Sequence, residues 1–215
     1  MIEALRKRLR LLLRSELYAC YRMLRKGFLR EVGWFESLRH ESSIDRDGNP
    51  IPWITYSALA FLEPRVRPDM AVFEYGAGNS TLWWGRRVSK VVSCEHDAEW
   101  CAKLRDQLPE TVELRLVALE PEGLYAQEIA RFQNAFDIVV VDGRERVACI
   151  KNSLAALKSD GVIVFDNSAR ERYAEGVRFL MDHGFRRLGF EGQAPISRAR
   201  SETAFFYRRE NCLGI

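Results

Sequence analysis

Two glycines stand between an apolar run and a hydroxyl-rich stretch in Val72-Phe73-Glu74-Tyr75-Gly76-Ala77-Gly78-Asn79-Ser80-Thr81. Glycine adopts positive φ freely and carries no Cβ, so a ligand can approach the backbone closely at Gly76 and Gly78. Asn79-Ser80-Thr81 reads as the opening of a helix, whose free N–H groups favour a carboxylate or phosphate. Glu95 ends the next apolar run, 17 residues beyond Gly78, where an acid can accept both hydroxyls of a ribose. A second group of oxygens follows: Asp142 closes the run Ile138–Val141, and Asp166-Asn167 close Val162–Phe165. Two carboxylates and an amide oxygen suit a hard divalent cation such as Mg2+. Without a metal, the same acids bind helix N-termini or substrate, or Asp142 or Asp166 takes a proton from a hydroxyl.

These groups need elements that bring them together. Apolar runs at Met70–Tyr75, Val91–Glu95, Val112–Leu119, Phe136–Asp142 and Gly161–Phe165 read as strands. Helical stretches separate them, around 80–88, 97–108, 123–134 and 144–158, then 170–183. Alternating strands and helices, with the strands apolar throughout, predict an α/β fold with a parallel sheet covered on both faces. Arg187–Glu191 and Glu202–Tyr207 have no helix between them and should pair antiparallel at the sheet edge. The strand ends carrying the acids then meet at one crevice. At 215 residues and 47% hydrophobic content there is material for one such domain and an appendage.

Two details bear on which nucleoside fits. A dinucleotide site wants a third glycine three residues after the second, and that position is Thr81. Glu74 is awkward beside a pyrophosphate and suits the cationic ammonium of a methionine moiety. The motif therefore favours S-adenosylmethionine over a nicotinamide or flavin dinucleotide, which remains the rival.

Glu74–Thr81, the acid in Cys94-Glu95-His96-Asp97 and the closing strand pair resemble the class I S-adenosylmethionine-dependent methyltransferases over roughly residues 50–210. Pro52-Trp53-Ile54-Thr55, Trp83-Trp84, Trp100 and Val141-Asp142-Gly143-Arg144 are similar to a bacterial subgroup of them. The resemblance implies a Rossmann-like seven-stranded, mostly parallel sheet with its last strand antiparallel. It implies cofactor contacts from Trp53, Thr55, Glu74, Tyr75, Gly76, Gly78, Asn79, Ser80, Thr81, Glu95, His96 and Asp142. The Asp142 and Asp166-Asn167 layout is also similar to the catechol O-methyltransferase branch, where such residues hold Mg2+ against the acceptor hydroxyls. That branch has a lysine soon after its first aspartate; Arg144-Glu145-Arg146 stands here instead. Asp142, Asp166, Asn167 and Arg144 are thus the expected catalytic group, with or without a metal.

The rest of the chain sets the surroundings. Residues 1–30 carry nine basic and two acidic residues, net +7, and the remainder 24 basic against 28 acidic, net −4. Ile2, Leu5, Leu9, Leu12, Leu13, Leu17, Cys20, Leu24 and Phe28 form one apolar stripe on a helix. This head, residues 1–40, reads as packing on the domain or a partner copy, or lying on an anionic membrane. Residues 41–52 read as a linker or lid, and 53–215 as the catalytic domain. Nucleic acid is disfavoured, because the body is not basic. Five cysteines without a CxxC pair fit a reducing cytoplasm. No apolar run reaches the roughly 20 residues of a membrane span, and arginines interrupt any secretory core. A cytoplasmic protein is expected, attached to the inner face of the membrane if the head binds lipid. Cys94, His96 and Cys101 lack a fourth zinc ligand, and His183 reads as a helix-end cation. Arg144, Arg146, Arg170 and Arg172 all follow strand ends and are either solvated or suited to an anionic substrate. The reading is methyl transfer from S-adenosylmethionine to the hydroxyl of a small molecule or glycan. A non-catalytic S-adenosylmethionine binder and an oxidoreductase are the alternatives.

Overall fold

The computed structural model describes residues 14–121 and 123–215, together with Arg6 and Leu11. The chain opens with α1 (Glu16–Lys26), α2 (Phe28–Glu31) and α3 (Trp34–His40). The single stripe expected there is therefore bent. α1 ends at Gly27, and Gly33 takes φ +82° where a Cβ would lie 2.3 Å from the backbone of Asp45 and Arg46. The positions of that stripe from Ile2 to Leu9, with Leu12 and Leu13, lie outside the described residues. Residues 41–52 fold back on the body: Ile44 bridges Pro50, and Asp45 Oδ1 accepts the N–H groups of Asp47 and Asn49, each at 2.8 Å.

The body is one sheet made from β1 (Ala71–Tyr75), β2 (Lys90–Glu95), β3 (Val112–Leu116), β4 (Phe136–Val141), β5 (Leu157–Asp166), β6 (Arg186–Gly192) and β7 (Ser201–Tyr207). Their order is β3-β2-β1-β4-β5-β7-β6. β7 runs antiparallel to both its neighbours. This is the Rossmann-like seven-stranded arrangement expected from the sequence. Around it lie α4 (Tyr56–Leu62), α5 (Asn79–Gly85), α6 (Ala98–Arg105), α7 (Leu124–Gln127), α8 (Arg146–Ser153) and α9 (Ala174–Asp182). Strand side chains alternate between two cores. Phe73, Val139 and Ile163 meet Tyr125, Ile150 and Leu180 on one face. Val72, Ile138 and Val164 meet Leu59, Leu62 and Trp83 on the other. Burial on both faces is why these strands read as continuous apolar runs.

Several boundaries differ from the sequence reading for identifiable reasons. The strand expected over 112–119 stops at Leu116, because β2, its only partner at this edge, ends at Glu95 opposite it. The helix expected over 144–158 stops at Ser153, since Leu157 already pairs with Phe136 in a longer β5. The helices expected at 123–134 and 170–183 each include a 3-10 turn, at Glu128–Arg131 and Glu171–Tyr173. α4 begins at Tyr56, where the Thr55 hydroxyl caps it by accepting the Ala58 N–H.

The strand order reverses between β1 and β4, with β2 on one side and β5 on the other. Connections leave in opposite directions there, so the carboxyl ends of the central strands border an open crevice.

Candidate active site

The glycine turn at the end of β1 is held from beneath. Gly76 takes φ +95°, and a Cβ there would lie 2.9 Å from Gly143 Cα, so the turns after β1 and β4 touch backbone to backbone. Glu74 points away from the crevice, between β1 and α5, and is fully buried. Its Oε2 accepts the hydroxyls of Thr81 at 2.5 Å and Ser93 at 3.0 Å, and Thr81 Oγ1 accepts the Gly78 N–H at 2.9 Å. Desolvation raises the Glu74 carboxyl from its ordinary range to about 7, with the neighbouring hydroxyls of Ser80, Thr81 and Ser93 offsetting part of the cost. Glu74 and Thr81, expected at the cofactor, instead anchor the turn that would carry it. The reason is the strand's alternation, which sends position 74 to the same covered face as Val72.

Above the turn lies a crevice of about 390 Å3, bordered by Trp53, Gly76, Gly78, Asn79, Ser80, Glu95, His96 and Asp142. All eight were singled out by the sequence. Gly78 is its open floor: a Cβ there would find nothing nearer than Trp100 at 3.9 Å. Glu95 Oε2 accepts the Ala77 N–H at 3.1 Å, and Oε1 accepts the N–H groups of His96 and Asp97. His96 lies beside it, Nδ1 at 2.6 Å from Glu95 Oε1. Asn79 borders the crevice, but its amide donates to Ser42 Oγ at 2.9 Å and the Ser43 carbonyl at 2.7 Å. It thereby straps residues 41–43 along the rim.

Two expected residues lie elsewhere. Tyr75 faces the opposite core and donates its hydroxyl to the Ala126 carbonyl. Thr55 is buried as the cap of α4, its hydroxyl donating to the Phe190 carbonyl at 3.1 Å. Tyr125 adds to the wall. Its hydroxyl borders the crevice, is buried without a hydrogen-bond partner, and lies where a Cβ on Gly143 would strike it at 2.0 Å. Trp100, whose indole N–H donates to the Ala77 carbonyl at 2.7 Å, completes the wall. An unfilled space over Gly78, an orphaned buried hydroxyl and an acid beside a glycine turn fit an adenosyl amino acid.

Next to this crevice a second cavity of about 390 Å3 is bordered by Trp53, Asp142, Arg146, Asp166 and Asn167. The three oxygens proposed as metal ligands do not converge on an ion. Arg146 lies between the two carboxylates: Nη2 donates to Asp142 Oδ1 at 2.8 Å, and Nη1 is 3.5 Å from Asp166 Oδ2. The guanidinium also donates to three backbone carbonyls, of Gly143 at 3.0 Å, Asp166 at 2.5 Å and Asp142 at 2.7 Å. Asp166 Oδ1 accepts the Thr203 hydroxyl at 2.7 Å, and Asn167 turns its amide to Ser201 Oγ at 2.8 Å. Among the described residues no group of three His, Cys, Asp or Glu side chains is arranged to hold a metal. Desolvation and the neighbouring Asp166 carboxylate raise the Asp142 carboxyl well above its usual range, against the pull of Arg146. Asp166 is raised too, chiefly by burial. Asp142 and Arg146 stand four residues apart around the start of α8, a spacing that brings side chains together and is the signal that could have revealed the pair. Arg144, expected to be catalytic, is exposed at the mouth of the cofactor crevice.

No protein-family model matches the chain, and no curated protein sequence matches it. Solved structures do. The chain is similar to a Klebsiella pneumoniae protein provisionally assigned as an O-methyltransferase, with 16% identity over 89% of this chain and 94% of that one, TM-score 0.58. It is similar to precorrin-8w decarboxylase of Methanobacterium thermoautotrophicum, with 20% identity, 78% and 97% coverage and TM-score 0.58. It is similar to precorrin-6y C5,15-methyltransferase of Geobacter metallireducens, with 17% identity, 70% and 86% coverage and TM-score 0.54. At such identities the likeness is one of fold alone.

Proposed function

We propose that this chain transfers a methyl group from S-adenosylmethionine to a hydroxyl of a small molecule or glycan. The observation that carries the reading is the contact of two cavities at Asp142. One has the glycine floor and acid of an adenosyl site, and the other holds a half-buried carboxylate able to take a proton. When bound, the cofactor supplies a methyl group on a sulfonium, a good leaving group. The chain's own work is alignment, exclusion of water and deprotonation of the acceptor. Gly76, Gly78, Ser80, Glu95 and His96 would hold the cofactor, and Trp53 borders both cavities and would separate it from bulk water. Asp142 is the general base: a carboxylate raised toward neutrality is a stronger base than an ordinary one. Arg146 keeps that carboxylate aimed, and Arg144 stands at the entrance. The metal reading does not fit, since a guanidinium already fills the space between the acids.

The test is the thermal midpoint with S-adenosylmethionine, S-adenosylhomocysteine and NADH, followed by transfer of a labelled methyl group to candidate hydroxyl acceptors. Ligand at a hundred times Kd adds about 2.7 kcal/mol to stability. A rise with both adenosyl compounds and none with NADH supports the reading. A rise with NADH alone replaces it with the dinucleotide one.

The head supports a location for this activity at an anionic membrane surface. α1 buries none of its residues, and Leu17, Tyr21 and Leu24 lie exposed at helical spacing with Arg22, Arg25 and Lys26 around them. An apolar stripe flanked by cations is the pattern of an interfacial helix. No helix among the described residues is long and apolar enough to cross a membrane. Sedimentation with phosphatidylglycerol vesicles, lost in Leu17→Glu/Leu24→Glu and absent with phosphatidylcholine alone, is the expected result. A dimer in solution that ignores vesicles would assign the stripe to self-association.

A further inference from the structure

A third cavity, of about 760 Å3, is neither of the two above but opens onto both. It shares Gly143 and Arg144 with the cofactor crevice, and Arg170 with the acceptor cavity, while Arg146 borders all three. Its walls are the start of α8 and the turn 170–173 after β5. The charges on it do not balance. Lys151 pairs with Glu175 at 2.6 Å, and Arg146 belongs to Asp142 and Asp166. That leaves Arg144, Arg170 and Arg172, which have no ion pair among the described residues, against Glu145, since the other lining carboxylate, Glu175, is paired with Lys151. Arg172 is held over the Tyr173 ring at 4.7 Å, with Arg146 5.5 Å from the same ring. Three arginines around one concavity repel one another until an anion arrives, and their planar forks match phosphate oxygens. α8 adds to this: its first turn has no side-chain cap, and Val147 and Ala148 in that turn border the cavity.

We infer that this groove is an anion subsite for the acceptor, so that the substrate class is a phosphate or diphosphate ester whose hydroxyl reaches Asp142 while its phosphate lies among Arg144, Arg170 and Arg172. The inference rests on the methyl-transfer reading only for the word acceptor; the anion site stands on its own geometry. A phosphate at this distance from the reacting hydroxyl anchors the substrate remotely, which lets binding energy serve alignment.

The experiment is calorimetric titration at fixed ionic strength with inorganic pyrophosphate and, separately, with S-adenosylhomocysteine. The comparison is wild type against Arg170→Glu/Arg172→Glu, two exposed residues outside the cofactor crevice. Pyrophosphate should bind wild type and weaken at least tenfold in the variant, with S-adenosylhomocysteine affinity unchanged within twofold. Equal pyrophosphate affinity in both proteins, or none in wild type that binds S-adenosylhomocysteine, overturns the subsite. Failure of S-adenosylhomocysteine alone overturns the methyltransferase reading and leaves the pyrophosphate result to decide the groove. Competition against pyrophosphate then separates the sources. Displacement by farnesyl diphosphate supports a lipid-linked acceptor, displacement by uridine diphosphate glucose a soluble nucleotide-linked one, and displacement by neither overturns the acceptor assignment.

Discussion

Two groups of acids flank the switch point, and they are kept by different means. Glu74 near the end of β1 is held by hydroxyls alone, from Thr81 and Ser93 on Oε2, while its Oε1 is buried without a partner. Asp142 and Asp166, at the ends of β4 and β5, are satisfied by a guanidinium, with Thr203 adding one hydroxyl. Hydroxyls orient a carboxyl in either protonation state, since each can donate or accept. A guanidinium only donates, and it rewards the charged state. The first arrangement suits a scaffold that must not respond to its ligand's charge. The second suits an acid that has to lose and regain a proton without moving. Position in the fold does not distinguish the two groups; the partner does.

If that contrast is right, the two sites break differently. The largest effect is expected from Asp142→Asn, which keeps the shape and removes the base: methyl transfer should fall about 10²–10⁴-fold with cofactor affinity nearly unchanged. The wild-type rate should rise with pH as Asp142 loses its proton, above the ordinary carboxylate range, because desolvation raises it. An Asn variant retaining a tenth of the rate would move the base elsewhere. Arg146→Ala should come next. It leaves two acids without their counter-charge, a loss of about 3–5 kcal/mol by chemical denaturation. That loss should shrink as pH falls and the acids protonate, and a variant equally destabilised at all pH values would contradict the charge argument.

The cofactor half of the site was legible and the acceptor half was not, for a physical reason. A glycine turn after an apolar strand leaves few local structures available, so Gly76, Gly78 and the Glu95 strand end could be placed at the crevice from type and spacing alone. The five apolar runs and the helixless final pair likewise gave the parallel strands and the antiparallel edge, because burial on both faces leaves a continuous signature. Tyr75 and Thr55 were misplaced, since a motif names neighbours and does not say which face of a strand each occupies. The acids after β4 and β5 were found, but their meaning was not. Oxygen ligands in sequence look alike whether a metal or an arginine stands among them, and Arg146 read as one of four strand-end cations. Its role needs the third dimension: bonds to carbonyls from Asp142, Gly143 and Asp166 at once.

Glu74→Gln sharpens the comparison from the other side. The native Glu74 carboxyl holds its proton up to about 7, above its ordinary value of 4.5. The folded state therefore binds more protons than the unfolded one between those values, and stability falls as pH rises through that window. The loss amounts to about 3 kcal/mol at most and is complete above neutrality. Glutamine can keep the bonds to Thr81 and Ser93 without the titration. The stability difference between wild type and variant should therefore change with pH from 4.5 to 7 and be flat outside it, read from urea unfolding at a series of pH values. A constant difference would mean that Glu74 is not the carboxyl that titrates there.

The smallest effect is expected where a metal would have mattered most. A divalent ion at Asp142 would have to displace a cation that is already bonded to both acids and to three backbone carbonyls, and it would find Asn167 turned to Ser201. Transfer should accordingly proceed within about twofold of the same rate in Mg2+ and in chelator, a difference too small to reflect a lost Lewis acid. Arg146→Ala makes this a two-sided test. With the guanidinium gone, the two carboxylates have the charge to attract Mg2+, so the variant's thermal midpoint should rise with the ion while the wild type's does not. A wild type that stops in chelator, or a variant indifferent to Mg2+, would show that Arg146 is not holding the place of a cation between the acids.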